Sequence, residues 1–323
     1  GRLFTVSGSD YNEMFNPVAE LTMDGQYNRY DRIVGGADVE FQIYDGLTFK
    51  SSEGVDLGFR DIGAWTPNYY LTSVRKAGHS SVWSQMGRQF SWQVENVLTY
   101  DNTFDGHHIT AMLGQSAFSY KGKWVQGANQ NLVEEDPDRA NLGFTTGIPE
   151  FQTAGGGLDA DYRLASIFAR ASYDYKDRYM VQATIRRDGS SRFGPNNRFA
   201  IFPSVSAAWN IKNEPWMQDK APWLTALKLR ASWGRNGNDS IGNFMYTVLT
   251  SQNNNYVFGS GANGTDAEQL AQGSKASGTA NPDLKWETSD QTDVGIDASF
   301  FDGSLLFTAD YFYKYTDGML MEQ

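Results

Sequence analysis

The sequence contains no cysteine and no long apolar run, and it has more acidic than basic residues. Each of these features excludes a class of site or protein. Without cysteine, the 323-residue chain can form neither disulfides nor thiolate metal sites. No run of roughly 18 or more apolar residues occurs, which excludes a membrane protein built of helices. The 27 basic and 38 acidic residues give a net charge of −11. This balance argues against a nucleic-acid-binding surface, because neutralising phosphates requires clustered cations.

Aromatic residues and glycine are plentiful, although the average residue is polar. Aromatic residues make up 14% of the chain, 33 residues are glycine, and the mean hydropathy is −0.51. A polar average is compatible with a membrane β-barrel, because only alternate residues of each strand face lipid.

Apolar residues recur at every second position in segments of about ten to fourteen residues, the period of a β-strand. Residues 162–175 and 179–188 alternate in this way on either side of a three-residue turn, 176–178. The whole chain, residues 1–323, reads as about ten strands in five hairpins. The turns fall near residues 45, 103, 177, 213–224 and 302.

The links between hairpins are long, near residues 58–82, 119–160 and 237–284, whereas most of the turns within hairpins are short. Outer-membrane barrels show this asymmetry, with tight periplasmic turns and long extracellular loops. Two connections break the rule, a long turn at 213–224 and a short link at 191–198. The pattern predicts an all-β transmembrane antiparallel β-barrel. A β-sandwich, whose core face alternates in the same way, stays open as the alternative.

The alternation assigns side chains to two faces. The face predicted to contact lipid is apolar and includes Ile167, Ala169, Val181, Ala183, Ile296, Ala298, Phe307 and Ala309. The face predicted to line the lumen is polar and includes Glu40, Gln42, Gln93, Glu95, Arg170, Gln182, Arg186, Asp293, Asp297, Asp310 and Lys314.

Several long runs in the strands and turns have a distinctive order of residues. They are Tyr-Asp-Tyr-Lys-Asp-Arg-Tyr at 173–179, Ala-Thr-Ile-Arg-Arg-Asp-Gly-Ser-Ser-Arg-Phe-Gly at 183–194, Phe-Pro-Ser-Val-Ser-Ala-Ala-Trp at 202–209, Leu-Lys-Leu-Arg-Ala-Ser-Trp-Gly at 227–234 with Asn-Gly-Asn at 236–238, Asn-Pro-Asp-Leu-Lys-Trp-Glu-Thr at 281–288, and Asp-Tyr-Phe-Tyr-Lys at 310–314. These runs resemble the barrel of SusC/RagA-family transporters of Bacteroidota. Residues 95–100 and 113–116 fit the same family. The matches extend from about Val34 to Leu320.

The resemblance implies part of a plugged barrel of ~22 strands. It implies TonB-dependent active import of an oligomeric nutrient, an oligosaccharide or a peptide, across the outer membrane of a Gram-negative bacterium. The expected partners are a SusD-like surface lipoprotein, the TonB–ExbB–ExbD complex, and the lipid bilayer with its lipopolysaccharide. We expect TonB to act through an N-terminal part that this sequence lacks, because the chain shows no TonB box, no plug and about half of the strands.

Two loops carry aromatic and amide side chains suited to binding a sugar or a peptide. Trp65, Tyr69 and Tyr70 lie in the link 58–82, and Trp124 and Asn129 lie in the link 119–160. These five residues are the predicted substrate-binding or partner-binding positions. The alternative interpretation is that they pack loops against each other or against a partner.

Other polar motifs favour no enzyme and no cofactor. The acidic run at 134–138 offers oxygen ligands of the kind that bind Ca²⁺, but a solvated loop is the simpler interpretation. Adjacent His107 and His108 point to opposite faces of a strand and cannot share a metal. The glycine-containing run at 188–194 opens no helix, so it is not a phosphate-binding loop. The alternatives to import are a surface binding or adhesion protein and a passive porin.

Overall fold

The structure is a computed structural model that describes residues 25–70, 76–136, 138–252, 254, 256–258, 269–271 and 273–320. Strands dominate these residues. Helical structure amounts to a single α-helical turn, α1 (Pro215–Gln218), and two 3-10 turns at Pro149–Phe151 and Ile211–Asn213 within the described chain. Among the same residues, no helix has the length and apolar character needed to cross a bilayer.

The main sheet has ten strands, and their order in the sheet follows their order in the chain. These strands are β1 (Gly25–Tyr44), β2 (Leu47–Thr66), β5 (Ser81–Phe104), β6 (His107–Gln130), β7 (Thr153–Tyr175), β8 (Tyr179–Ser190), β9 (Phe199–Asn210), β10 (Leu224–Asn238), β15 (Glu287–Phe300) and β16 (Leu305–Asp317). Three small hairpins occupy the links: β3 (Tyr69–Tyr70) with β4 (Lys76–Ala77), β11 (Leu249–Gln252) with β14 (Ser274–Ser277), and β12 (Tyr256–Phe258) with β13 (Gln269–Ala271).

The chain divides into two compact units. The first takes its described residues from Gly1–Gly36, Gly54–Trp92 and Tyr120–Asp161. The second takes them from Ala37–Glu53, Gln93–Ser119 and Tyr162–Gln323.

The register of β7 to β16 confirms the predicted division into two faces. Ala183 lies opposite Ala171 and Val205, and Ile296 lies opposite Leu229 and Ala309. Directly paired residues share a face, so these apolar side chains form one continuous surface, the lipid face. The charged residues predicted to line the lumen fall on the other side, the lumen face, where Arg186 pairs with Phe168 and Phe202, and Asp297 pairs with Lys228 and Thr308.

Side-chain exposure differs between the two faces. On the lipid face, Ile167, Val181 and Val294 are about half exposed. On the lumen face, Phe168 is buried beneath the guanidinium of Arg186, and Phe202 is buried against Trp286. An apolar surface of this extent on a folded chain marks contact with lipid or with protein.

The short turns lie at one end of the second unit and are hydrogen-bonded to each other. The amide of Asp101 donates to Gly46 O (2.7 Å), and that of Lys176 donates to Gly106 O (2.8 Å). Gly46 has φ +81°, and a Cβ there would lie 2.6 Å from the carbonyl oxygen of Asp101. Glycine is therefore required both for the turn and for the approach of the neighbouring strand. By the barrel rule for short turns, this is the periplasmic end.

Several strands continue into segments that the sequence pattern assigned to loops. β2 runs to Thr66, β6 to Gln130, and β7 begins at Thr153, so the predicted link 119–160 is a loop only over 131–152. At 24 residues and about 3.3 Å per residue, β6 extends far beyond an apolar band of about 25 Å. Outside that band both faces meet water, so the hydrophobic alternation disappears while the hydrogen-bonded ladder continues. The link predicted at 237–284 contains β11 to β14.

Candidate functional site: the lumen face and the extracellular loops

The lumen face of the second unit carries a three-membered ion cluster. Arg230 Nη2 lies 2.6 Å from Asp310 Oδ1, and Arg230 Nε lies 2.9 Å from Asp297 Oδ2. Gly295 lies beneath the cluster: a Cβ there would lie 2.4 Å from Asp310 and 2.7 Å from the Arg230 guanidinium carbon. The absence of a side chain at Gly295 therefore makes room for the ion pairs. The sequence identified the two carboxylates but not their shared cation.

A second cation on this face is held over an aromatic ring. Arg186 Nε donates to Asp188 (2.6 Å), Arg186 Nη2 donates to Ser166 Oγ (2.9 Å), and its guanidinium lies 5.1 Å from the centre of the Phe168 ring. The ring itself covers Gly114, where a Cβ would lie 2.3 Å from it. The lumen face is thus a surface of fixed charges and hydrogen-bonding groups, suited to contact with water, polar ligands or another polar protein surface.

A cleft of about 510 Å³ opens between these charges. Its floor consists of small side chains, including Ser172, Ser206 and Ser232, and its borders include Arg230 and Asp293. The residues lining it lie mainly at lumen-face positions of β7 to β15. The small floor residues leave a depression beside charged groups of both signs.

At the end of the second unit opposite the short turns, a buried polar cluster connects two loops. Asp239 Oδ2 accepts hydrogen bonds from Tyr162 Oη and Ser190 Oγ, both at 2.7 Å. Arg192 Nη1 donates to the carbonyl oxygen of Asp239 (2.9 Å), and its guanidinium lies 4.3 Å from the centre of the Tyr162 ring. We call Tyr162, Ser190, Arg192 and Asp239 the loop cluster. Ser190 is fully buried, so its hydroxyl depends on these partners.

An apolar core is built from the same two loops. Phe193 is fully buried, and its ring centre lies 5.1 Å from that of Trp286. Phe202 and Ile241 complete the core, and Trp286 Nε1 donates to Arg198 O (3.1 Å). In the sequence, Phe193 and Trp286 stand out only as parts of the family-like runs. A bulky apolar residue inside a polar loop is the signal that could have identified both as core residues.

The five predicted binding residues all belong to the first unit and have different environments. Trp65 lies on β2 and is buried at 8% exposure, packed with Val82 and Leu132. Asn129 lies on β6, also buried, and its Nδ2 donates to Thr145 Oγ1 (2.6 Å). The placement of these two residues in exposed loops was wrong. Both are held by packing and hydrogen bonds, as the alternative interpretation expected.

The other three residues remain accessible to different degrees. Tyr70 is exposed at 61%, on the small hairpin of β3 and β4, and Tyr69 beside it is partly buried. Trp124 also lies on a strand, β6, where it is partly buried and its ring lies beside Gly157. Of the five, only Tyr70 offers a largely free ring, and the structure does not bring the five side chains together into one site.

Trp65 does border a cleft of about 520 Å³ in the first unit. Two further aromatic residues, Tyr27 and Trp83, line it together with Asn141 and Gln26. Every residue in its lining is uncharged. Rings and amides without charge suit a neutral ligand or a neutral protein segment.

Carboxylates of the acidic loop have partners within the protein. Arg139 pairs with Glu134 (2.7 Å) and Asp136 (3.6 Å), and Glu135 accepts a hydrogen bond from the amide of Asn68 (3.0 Å). Within the described ranges, no three His, Cys, Asp or Glu side chains are grouped to hold a metal ion. Ca²⁺ binding by this acidic loop stays open as the alternative to a solvated loop.

His107 and His108 diverge. His107 Nδ1 contacts Tyr173 Oη (2.7 Å), whereas His108 Nε2 contacts Asp101 (3.2 Å). Each ring thus has its own partner, and the two do not converge on one point.

The sequence matches a known protein family and several of its members. Residues 3–323 match the family described as "TonB dependent receptor-like, beta-barrel". TonB-dependent receptor P39 of Formosa agariphila is 31% identical over 94% of this chain and 28% of its own length. TonB-dependent receptor SusC of Bacteroides thetaiotaomicron is 26% identical over 97% of this chain and 30% of its own length. The chain therefore spans about three tenths of the length of these relatives.

A solved structure shares the fold. The RagAB peptide importer in its open-open state superposes with a TM-score of 0.80 and 27% identity, covering 94% of this chain and 31% of that chain. These relatives confirm the resemblance to SusC and RagA, the transmembrane β-barrel fold and the location in the outer membrane. The chain belongs to the TonB-dependent receptor-like β-barrel family.

Proposed function

We propose that this chain is the part of an outer-membrane transporter that imports an oligomeric nutrient, a glycan or a peptide, with energy supplied through TonB. The observation that carries the proposal is the contrast between the two faces of β7 to β16. An apolar lipid face lies back to back with a lumen face of ion pairs, Arg230 with Asp297 and Asp310 and Arg186 with Asp188. A lumen of this kind suits water, polar substrates or a polar plug surface.

Active import and passive diffusion predict different energy requirements. The test is uptake of labelled oligosaccharides and peptides by cells that carry the full-length transporter. Under the proposal, uptake ceases when TonB is deleted or when a protonophore collapses the proton gradient. Uptake that continues in both conditions would instead identify a passive porin. Competition between the two substrate classes in the same assay decides between glycan and peptide.

A SusD-like lipoprotein is the proposed partner, docked on the extracellular loops. The similarity to SusC and to the RagAB peptide importer motivates this partner. The loop at 131–152 is a suitable contact region because Glu134, Glu135 and Arg139 are exposed beyond an anchored base. Val133 N donates to Phe144 O (3.2 Å), Thr146 N donates to Asn131 O (2.9 Å), and Leu132 is buried beside Trp65.

The base should be kept intact when this loop is tested. We expect deletion of residues 134–139 to reduce co-purification of the lipoprotein from solubilised outer membranes, because the exposed tip is removed while Leu132 and Leu142 still pack. Loop tips tolerate deletion, so the barrel should still assemble and show its boiling-dependent shift in gel mobility.

A replacement of 134–139 by glycine and serine of equal length separates lost contacts from altered loop length. If both variants retain the lipoprotein and import nutrient at the normal rate, this loop takes no part in docking.

A further inference from the structure

The turn between β9 and β10, residues 211–223, is longer than the other turns of the main sheet and carries exposed tryptophans. Trp216, on α1, is exposed at 53%, and Trp223 is exposed at 51%. Turns of two to four residues suffice at the other hairpins of the main sheet. The additional length therefore calls for an explanation beyond connecting two strands.

The first end of this segment is attached to the lipid face. Glu214 is buried, and its carboxylate accepts hydrogen bonds from Tyr179 Oη and from Trp209 Nε1 (3.0 Å), with Arg178 Nη1 at 3.3 Å. Tyr179 and Trp209 are register partners, and Trp209 is also paired with Leu229, so both rings lie on the lipid face. The chain therefore enters α1 from the lipid side of the strand ends.

The second end is attached to the same face. The ring of Trp223 stacks on Phe300 at 5.9 Å between centres and 9° between planes, and Phe301 N donates to Trp223 O (2.8 Å). Phe300 is paired with Leu305 in register with the apolar positions of β15 and β16, which places it on the lipid face. Exposed Phe301 and Leu305 continue this apolar surface around Trp223.

Between its two ends the segment is internally braced. Lys212 Nζ lies within hydrogen-bonding distance, 3.0 to 3.4 Å, of four backbone carbonyl oxygens, those of Met217, Gln218, Lys220 and Ala221, which share its three N–H donors. Met217 N donates to Glu214 O (2.8 Å), which closes the helical turn. Trp216 therefore lies on a segment that is held by hydrogen bonds at both ends and within it.

We propose that residues 214–223 lie in the headgroup layer of the periplasmic leaflet and that Trp216 is a membrane-inserted anchor. The occupant of this apolar surface is lipid, because both attachment points belong to the face that already contacts the bilayer. The amphipathic indole ring favours the headgroup level, where its N–H can reach water while its ring contacts apolar chains. The turn thereby extends the lipid contact of the barrel beyond the ends of its strands.

The test places an environment-sensitive fluorophore at two positions of α1 in the full-length transporter, using Trp216→Cys and, as matched control, Gln218→Cys. Positions 216 and 218 are two residues apart and project about 200° apart around a helix. This chain contains no cysteine that would compete for the label. The protein is reconstituted in vesicles of phosphatidylethanolamine and phosphatidylglycerol that carry a nitroxide either on the headgroup or at the bilayer centre.

We expect the headgroup nitroxide to quench the label at 216 at least about twice as strongly as the central nitroxide does, because an interfacial ring lies at the headgroup level. The same label should be shielded from aqueous iodide. The label at 218 should be quenched by aqueous iodide and only weakly by either nitroxide. If iodide reaches both labels equally, the segment lies in the periplasm and the proposal is wrong. If 216 is shielded from iodide and from both nitroxides, it packs against another part of the transporter, and the proposal is equally wrong.

A second measurement retains the native ring. The transporter is labelled with 5-fluorotryptophan, and its fluorine resonance for residue 216 is assigned by the loss of one signal in Trp216→Phe. Broadening of that signal by the headgroup nitroxide supports the anchor, and an unchanged linewidth refutes it, even if the cysteine variants fail to fold.

Discussion

An arginine placed at Ala183 tests the lipid face at the depth where it should be least tolerated. Ala183 lies on β8 between Ala171 and Val205, and its side chain is exposed. It is four residues beyond Tyr179, the first residue of the strand. At about 3.3 Å per residue and a tilt of about 40°, Ala183 lies roughly 10 Å above the level of Tyr179. An apolar band of about 25 Å then places it close to the midplane.

At that depth a lipid-facing arginine costs about 2–4 kcal/mol. Since about 1.4 kcal/mol corresponds to a tenfold change, Ala183→Arg should lower the folding equilibrium constant by roughly 30-fold to 1,000-fold. The natural Arg187 is compatible with this reasoning, although it occupies the same face. It is eight residues from Tyr179, close to the opposite edge of the band, with its guanidinium 4.2 Å from the centre of the Phe199 ring.

The assay is a denaturant titration of the full-length transporter in bilayers, with the folded fraction read from gel mobility without boiling. Gln182→Arg is the matched control because Gln182 is adjacent in sequence and lies on the lumen face opposite Ser172 and Ser206. We expect it to change stability by about 0.5 kcal/mol or less, as at an exposed position. Ala183→Leu controls for size. Equal stability of the two arginine variants would contradict the assignment of the faces.

Three further substitutions test other parts of the structure. Hydrogen bonds from Tyr179 and Trp209 lower the pKa of the Glu214 carboxyl. The ionised carboxylate therefore stabilises the fold above the ordinary carboxyl pKa, and this stability is lost as the pH falls through the lowered pKa. Glu214→Gln should flatten the acid side of a curve of unfolding free energy against pH. Asp239→Ala removes the acceptor of Ser190 and should cost about 1–3 kcal/mol, seen as faster proteolysis within 239–286 while barrel mobility on gels is retained. Arg230→Met leaves two carboxylates without their shared cation and should lower the denaturation midpoint, whereas adding Asp310→Asn should restore part of the loss.

The strands and their faces could be predicted because a period of two is a local property. Residues 162–175 and 179–188 show it without reference to any other part of the chain, and their pairing follows from the short turn between them. The ends of the strands could not be predicted in this way. Beyond the bilayer no apolar face is needed, so residues 119–130 continue as strand without a pattern that distinguishes them from a loop.

The environments of individual aromatic and amide residues depended on distant parts of the chain. Trp65 is buried because Leu132 packs beside it, and Asn129 is satisfied by Thr145 across the loop. Neither partner is visible from the local sequence, which shows only a tryptophan or an asparagine in a polar segment. Tyr70, on a hairpin of two-residue strands, has fewer opportunities to be covered and remains exposed.

The runs that carry the family resemblance coincide with structural contacts. Residues 188–194 supply Ser190, Arg192 and Phe193, and residues 281–288 supply Trp286, so both runs build the loop cluster and its apolar core. A residue buried in this way is chosen by packing and not by a substrate. The resemblance could therefore predict the fold and leave the substrate open. Substrate choice should reside where neither the strand pattern nor a buried core restricts the side chain, as at the exposed residues of the loop 131–152.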